Sequence, residues 1–303
     1  MKIDEYLTRE EVARFTAKSD LRAASLILGN WLAIGLIFAV VAIWTNPVTI
    51  LAAIVLLAGR QMGLAVLMHD CGHRTLFRTP WMNETFGQWL CALPVLNDQH
   101  SYAKGHLDHH RKAGTHEDPD LPNYRAYPVS RSSFQRKVVR DLTGQTGWKL
   151  IKAIARRGAS GIMSRDTRVG SNITLQQLLT QVVLLAVLAV FGIAWVYLLW
   201  AIAYLTVFML VIRVRQVAEH AAVPDLYDGD VRMNTRTVDA PWWQKMMFAP
   251  FGVNYHMEHH FMASVPCYNL PALRKHLRGK GALDGVPVFK GYGALLRHVI
   301  QPA

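Results

Sequence analysis

The chain has 303 residues, of which 51% are hydrophobic, and its 33 Lys and Arg against 21 Asp and Glu leave a formal charge of +12. That balance fits a basic soluble protein or a membrane protein with charged loops, and the distribution along the chain decides between them. The positive charge gathers in polar stretches between apolar runs and no recognition motif accompanies it, which argues against a nucleic-acid partner; Cys71, Cys91 and Cys267, odd in number and without CxxC spacing, call for no disulfide scaffold.

In chain order, "DEYLTREEVARFTAKSD" opens with acids and carries Leu7, Val12 and Phe15, the pattern of a short amphipathic helix on a membrane surface. Ala24 to Trp44 follows with twenty-one residues and no charge. At about 1.5 Å per residue it spans the roughly 30 Å hydrocarbon core of a bilayer. Val48 to Met68 comes after only "TNP", so the two runs form an antiparallel hairpin. A second hairpin repeats the plan, Leu175 to Phe191 and Ala194 to Ile212, joined near Gly192. The first apolar run is too long for a signal-peptide core and lacks a cleavage pattern behind it.

The hairpin tips contain no Lys or Arg, whereas residues 69–174 and 213–303 hold most of them. Positive residues favour the cytoplasmic side, so both termini and both polar segments are expected there. The predicted architecture is an all-α integral membrane protein, one domain over residues 1–303. Four transmembrane helices, 24–44, 48–68, 175–191 and 194–212, stand in two hairpins beneath a cytoplasmic helical cap. Within the cap, "FQRKVVRDLTGQTGWKLIKAIARR" fits either a helix on an anionic leaflet or a basic face packed on a core. "DAPWWQKMMFAPFG" reads as interfacial through Trp242, Trp243 and Lys245.

Three histidine clusters punctuate these segments: "HDCGH" with His69 and His73, "HLDHH" with His106, His109 and His110, and "HMEHH" with His256, His259 and His260. On a helix, residues three and four apart share a face, so the members of each cluster point broadly together. His69 follows the second apolar run directly and His220 lies about two turns beyond the fourth, on the same side as the two HxxHH clusters. Nine imidazoles exceed the four ligands of a zinc ion and the six of an octahedral ion, so two metals are expected. Imidazole alone does not choose among iron, copper, zinc and nickel.

Those residues resemble the membrane fatty acid desaturase superfamily, non-haem di-iron enzymes with HxxxH, HxxHH and HxxHH boxes, over about residues 24–275 including the hairpin order. The HxxxH spacing and "NYHMEHH" are similar to the acyl-lipid and sphingolipid branches rather than the acyl-CoA branch. The resemblance implies two irons held by the nine histidines, dioxygen activation, and hydrogen removal from an unactivated C–H bond of a lipid or fatty acyl substrate. His220 is similar to the family's extra histidine, although Gln216 stands where acyl-CoA desaturases carry asparagine. Electrons are expected from a separate partner, a ferredoxin or b-type cytochrome, since the chain has no haem, ferredoxin-like or dinucleotide motif. The expected setting is multi-pass in a bacterial inner membrane with the metal site cytoplasmic.

Asp70, Asp108, Glu219 and Glu258 adjoin ligands, and outer carboxylates often hold the second imidazole nitrogen. Adjacent residues diverge on a helix, so each is expected to serve another helix's histidine. Asn254 and Gln216 either bind a metal-bound water or cap and pack. His100, His116, His276 and His298 read as loop or surface residues, and "HEDPD" as a turn around Pro119. Arg60, inside the second run, needs a buried partner or a substrate head. Hydroxylases and carotenoid ketolases share the same boxes, and a metal transporter would need ligands halfway across the bilayer, where this chain has no histidine.

Overall fold

The computed structural model describes residues 1–157 and 171–301. Helix α1 (Asp20–Ile43) starts where Ser19 accepts from the Arg22 amide, with Asp20 favourably placed in its first turn. Its buried face, Ala23, Ile27, Asn30, Ile34, Phe38 and Val41, recurs every three or four residues. Leu28, Leu32 and Leu36 stand exposed on the opposite face. An apolar outer face of this length belongs in lipid rather than water.

Helix α2 (Pro47–Gly72) begins at once, because the Asn46 side chain caps the Val48 and Thr49 amides and Pro47 presets the first turn. It packs along α1 and is buried continuously from Gln61 to Cys71. Gly63 permits the approach: a Cβ there would meet Asn30 Oδ1 at 2.4 Å. Arg60 is satisfied within the protein, its guanidinium donating to Asn30 Oδ1 at 3.2 Å and to the Met246 carbonyl at 2.7 Å.

Helix α3 (Gln99–Lys112) carries the second box, and Asp98 caps it. Helices α4 (Arg131–Leu142) and α5 (Gln145–Arg157) follow. Ile154 of α5 is buried and Ile151 packs on the main core, while Val139 and Leu142 of α4 and Trp148 of α5 stay exposed, so the apolar residues of this stretch are packed in part and open in part. The cap expected over 69–174 includes 158–170, which lie outside the described residues.

Helix α6 (Ser171–Val190) ends at a turn where Gly192 takes φ +72°, a conformation open to glycine without penalty. The fourth run is not one helix. It enters through a single 3-10 turn, Ala194–Val196, forms α7 (Tyr197–Leu205), breaks at Thr206 and continues as α8 (Val207–His220). Among the described residues, four helical segments, within Arg9–Ile43, Pro47–Gly72, Ile173–Val190 and Ala194–His220, are long and apolar enough to cross a membrane.

Short helices α9 (Trp242–Phe248) and α10 (His256–Phe261) precede α11 (Leu270–Gly279) and α12 (Tyr292–Val299). Trp242 and Trp243 of α9 are 70% and 53% exposed. Two pairs of two-residue parallel strands, Val129–Ser130 with Ile300–Gln301 and Val238–Asp239 with Phe289–Lys290, add minor ladders to the helical fold. The amino terminus forms two short helices, Ile3–Tyr6 and Arg9–Phe15, rather than one, and corrects the surface expectation. Leu7 and Phe15 are buried in a second core shared with Leu273 and Leu277, so its apolar side is occupied by protein.

Candidate metal centre

Four helix ends converge: His69 in the last turn of α2, with His73 as its C-cap, the second box on α3, His220 closing α8, and the third box on α10. Their nitrogens form two groups, each with ligand atoms within 4.8 Å of one another. One is His69, His73, His106, His110 and His259; the other is His109, His220, His256 and His260. The spacing logic is finer than shared faces. His106 and His110 enter the first group and His109 the second; His256 and His260 enter the second and His259 the first. Each HxxHH box thus serves both groups, in opposite senses. The groups abut, with the His110 and His260 rings stacked at 4.1 Å.

The donor set fits metal binding. His259 and His110 bring their Nε2 atoms to 2.9 Å, His110 and His106 to 3.1 Å, and His256 and His220 to 2.9 Å. Ligands at the usual distance of about 2.1 Å from an ion and at right angles to each other lie about 3.0 Å apart. Nε2 of His69, His73 and His260 is buried without a hydrogen-bond partner. A buried, unpaired acceptor is costly unless something occupies it.

Outer contacts aim these nitrogens inward. His69 Nδ1 donates to Asp70 Oδ1 at 2.9 Å, His109 Nδ1 to Asp118 Oδ1 at 2.8 Å, and His220 Nδ1 to the Asn234 carbonyl at 2.9 Å. Each bond leaves the Nε2 lone pair facing the group. Burial pushes His73 down to about 3, and burial with neighbouring imidazoles holds His106, His110, His256, His259 and His260 well below the ordinary range. Neutral imidazole is the form that ligates. His109 differs: burial opposes its charge, but the carboxylates around it, Asp118 first among them with Asp120 and Glu219, together raise it.

The expected outer residues divide. Asp70 holds its own neighbour, against the expectation that adjacent residues diverge, and it also accepts from the Cys267 amide at 2.7 Å. Glu219 lies 3.4 Å from His256 Nδ1 without hydrogen-bonding it, and 2.8 Å from Arg215 Nε on its own helix, so it neighbours another helix's imidazole but does not hold it. Asp108 faces outward to Arg111 and Lys112, so it reaches no imidazole. Glu258 is fully buried against Arg274 and Thr237 instead. Asn254 donates to the Val238 carbonyl, and Gln216 lines a cavity of about 280 Å³ beside His109, His220 and His256. His116 stacks on Tyr227, His276 pairs with Glu11, His298 bonds the Ala222 carbonyl, and His100 is exposed; none joins either group. A turn around Pro119 does not by itself announce the contact of Asp118 with His109, which depends on how the loop after α3 folds back.

The fatty acid desaturase family model matches residues 44–292. Dihydrorhizobitoxine desaturase of Bradyrhizobium elkanii is 25% identical over 77% of this chain and 67% of its own length. An sn-1 oleoyl-lipid 12-desaturase of Synechocystis sp. is 26% identical over 69% of this chain and 62% of its own, and a beta-carotene ketolase of Paracoccus sp. is 26% identical over 85% and 95%. The chain therefore spans about two thirds of the first two relatives. Because the family match runs from before the first histidine box to beyond the third, taking in all nine converging imidazoles, the chain belongs to the fatty acid desaturase family and is an oxidoreductase.

Proposed function

We propose that this protein is an oxygen-dependent desaturase of lipid acyl chains whose nine histidines hold two irons. The observation that carries the reading is the pair of abutting, inward-facing imidazole groups at the ends of apolar helices. His69, His73, His106, His110 and His259 would hold one ion, and His109, His220, His256 and His260 the other. When bound, the irons supply dioxygen-dependent oxidation of an unactivated C–H bond. The chain's own groups do the rest: Asp70, Asp118 and the Asn234 carbonyl fix ring orientation, and burial excludes water.

Converting CH2–CH2 to CH=CH releases two electrons, while reducing dioxygen to two waters takes four. The other two electrons must come from a donor, by resemblance a ferredoxin or b-type cytochrome, and the other two protons from solvent. The topology proposed with this chemistry is a single domain with two transmembrane hairpins in a bacterial inner membrane, its termini and histidine-bearing cap cytoplasmic. Reporter fusions at either terminus that respond from the outer side would overturn that orientation.

Hydroxylation or ketolation is the second reading, favoured by the match to nearly the whole length of a beta-carotene ketolase. High-resolution mass spectrometry of lipids from cells with and without the protein, fed isotope-labelled fatty acids, separates the two. Labelled lipids that lose two hydrogens support the desaturase; labelled lipids or carotenoids that gain oxygen move the assignment to the alternative; neither change, in carotenoid-producing cells supplied with iron and donor, rejects both.

A further inference from the structure

The loop after the second box makes contacts that neither the boxes nor the spacing accounts for. Asp118 is 5% exposed and spends both carboxylate oxygens inside the protein. Its Oδ1 accepts from His109 Nδ1 at 2.8 Å and from the Asp120 amide at 2.8 Å, and its Oδ2 accepts from the Tyr124 hydroxyl. The Tyr124 ring is itself buried and stacks on His220, with centroids 4.9 Å apart and planes 21° from parallel. His109 and His220 belong to the same four-histidine group, from helices α3 and α8, and their rings meet edge to face at 4.9 Å. One carboxylate therefore braces one imidazole directly and the other through a tyrosine. No imidazole of the five-histidine group touches Asp118 or Tyr124 in any of these contacts.

From this geometry we infer that Asp118 and Tyr124 are positioning residues dedicated to the four-histidine group, so the two metal positions have separate outer supports and can be weakened one at a time. The inference rests on the metal-centre reading proposed above. Asp70, bonded to His69 and to the Cys267 amide, is the corresponding support of the five-histidine group.

The test is anaerobic titration of the full-length protein in detergent with ferrous ion against a competing chelator, alongside Mössbauer spectra of protein loaded with iron-57. Wild type is expected to bind two ions. Asp118→Ala is expected to keep one tight ion and to bind the other about 10–100-fold more weakly, the usual effect of losing an outer carboxylate, with one spectral component altered and one unchanged. Asp70→Asn is expected to alter the other component. Tyr124→Phe, which keeps the ring on His220 and removes only the hydroxyl, serves if Asp118→Ala fails to fold, and is expected to weaken the same ion more mildly. Loss of both ions to the same degree in a folded variant, or two ions held as in wild type, overturns the assignment. A wild-type protein that binds no iron would instead sink the metal reading itself.

Discussion

Removing the Glu258 carboxylate separates a structural role from a metal-supporting one. Glu258 sits inside the third box, between His256 and His259, yet its Oε1 meets Arg274 Nη1 at 2.5 Å and its Oε2 accepts from Thr237 at 2.5 Å. It ties α10 to α11. Deleting one partner of a buried ion pair costs roughly 3–5 kcal/mol, because the other charge stays buried. Arg274 keeps Asp239 at 3.4 Å, a half-exposed partner, which places Glu258→Ala near the lower end, about 3 kcal/mol. At ~2 °C per kcal/mol for a chain of this size or somewhat smaller, the thermal midpoint in detergent falls by about 6 °C. Pairing Glu258→Leu with Arg274→Met removes both charges and recovers much of the loss. Iron content of the folded fraction stays at the wild-type level. An unshifted midpoint with reduced iron would refute this account and return Glu258 to the imidazoles.

Other variants probe the site from different sides. His259→Ala is expected to abolish lipid oxidation and lower iron per chain, measured by product mass spectrometry and elemental analysis; a fully active variant would remove His259 from the centre. Arg60→Leu is expected to retain turnover per folded molecule while lowering the thermal midpoint, since its guanidinium is engaged with Asn30 and Met246; lost turnover at unchanged iron and stability would favour a substrate contact. In metal-free protein, buried imidazoles such as His73, held down to about 3, stay neutral while unfolded ones protonate near ~6.5, so stability is expected to fall as pH drops from about 6.5 toward 3, read by chelator-treated thermal melts; a midpoint flat across that window would contradict it.

The apolar runs and the three histidine boxes were legible because both depend on local pattern: predominantly apolar stretches of about seventeen to twenty-one residues, and imidazoles three or four positions apart. What each box does with its three rings was not. Two facing helices divide their rings between two groups only once α3 and α10 are packed, and spacing alone gives a single shared face. The break at Thr206 was hidden because the residues on both sides are uniformly apolar. The amphipathic start of the chain signalled a half-buried helix without saying what covers it, and α11 rather than lipid does so. Asp70 and Asp118 depart from local geometry in opposite ways. A neighbouring carboxylate was directed elsewhere by helix geometry and a loop carboxylate was given no role, because side-chain reach is settled by tertiary closure.

The alternation of each HxxHH box between two groups makes the box behave like a reading frame. Every residue advances a helix by about 100°, so one residue inserted between His106 and His109, or between His256 and His259, would turn the later pair away from its destinations while leaving the histidine count intact. A protein carrying such an insertion would still look rich in ligands by composition. It would hold them in the wrong phase until a histidine stood again three residues after the first.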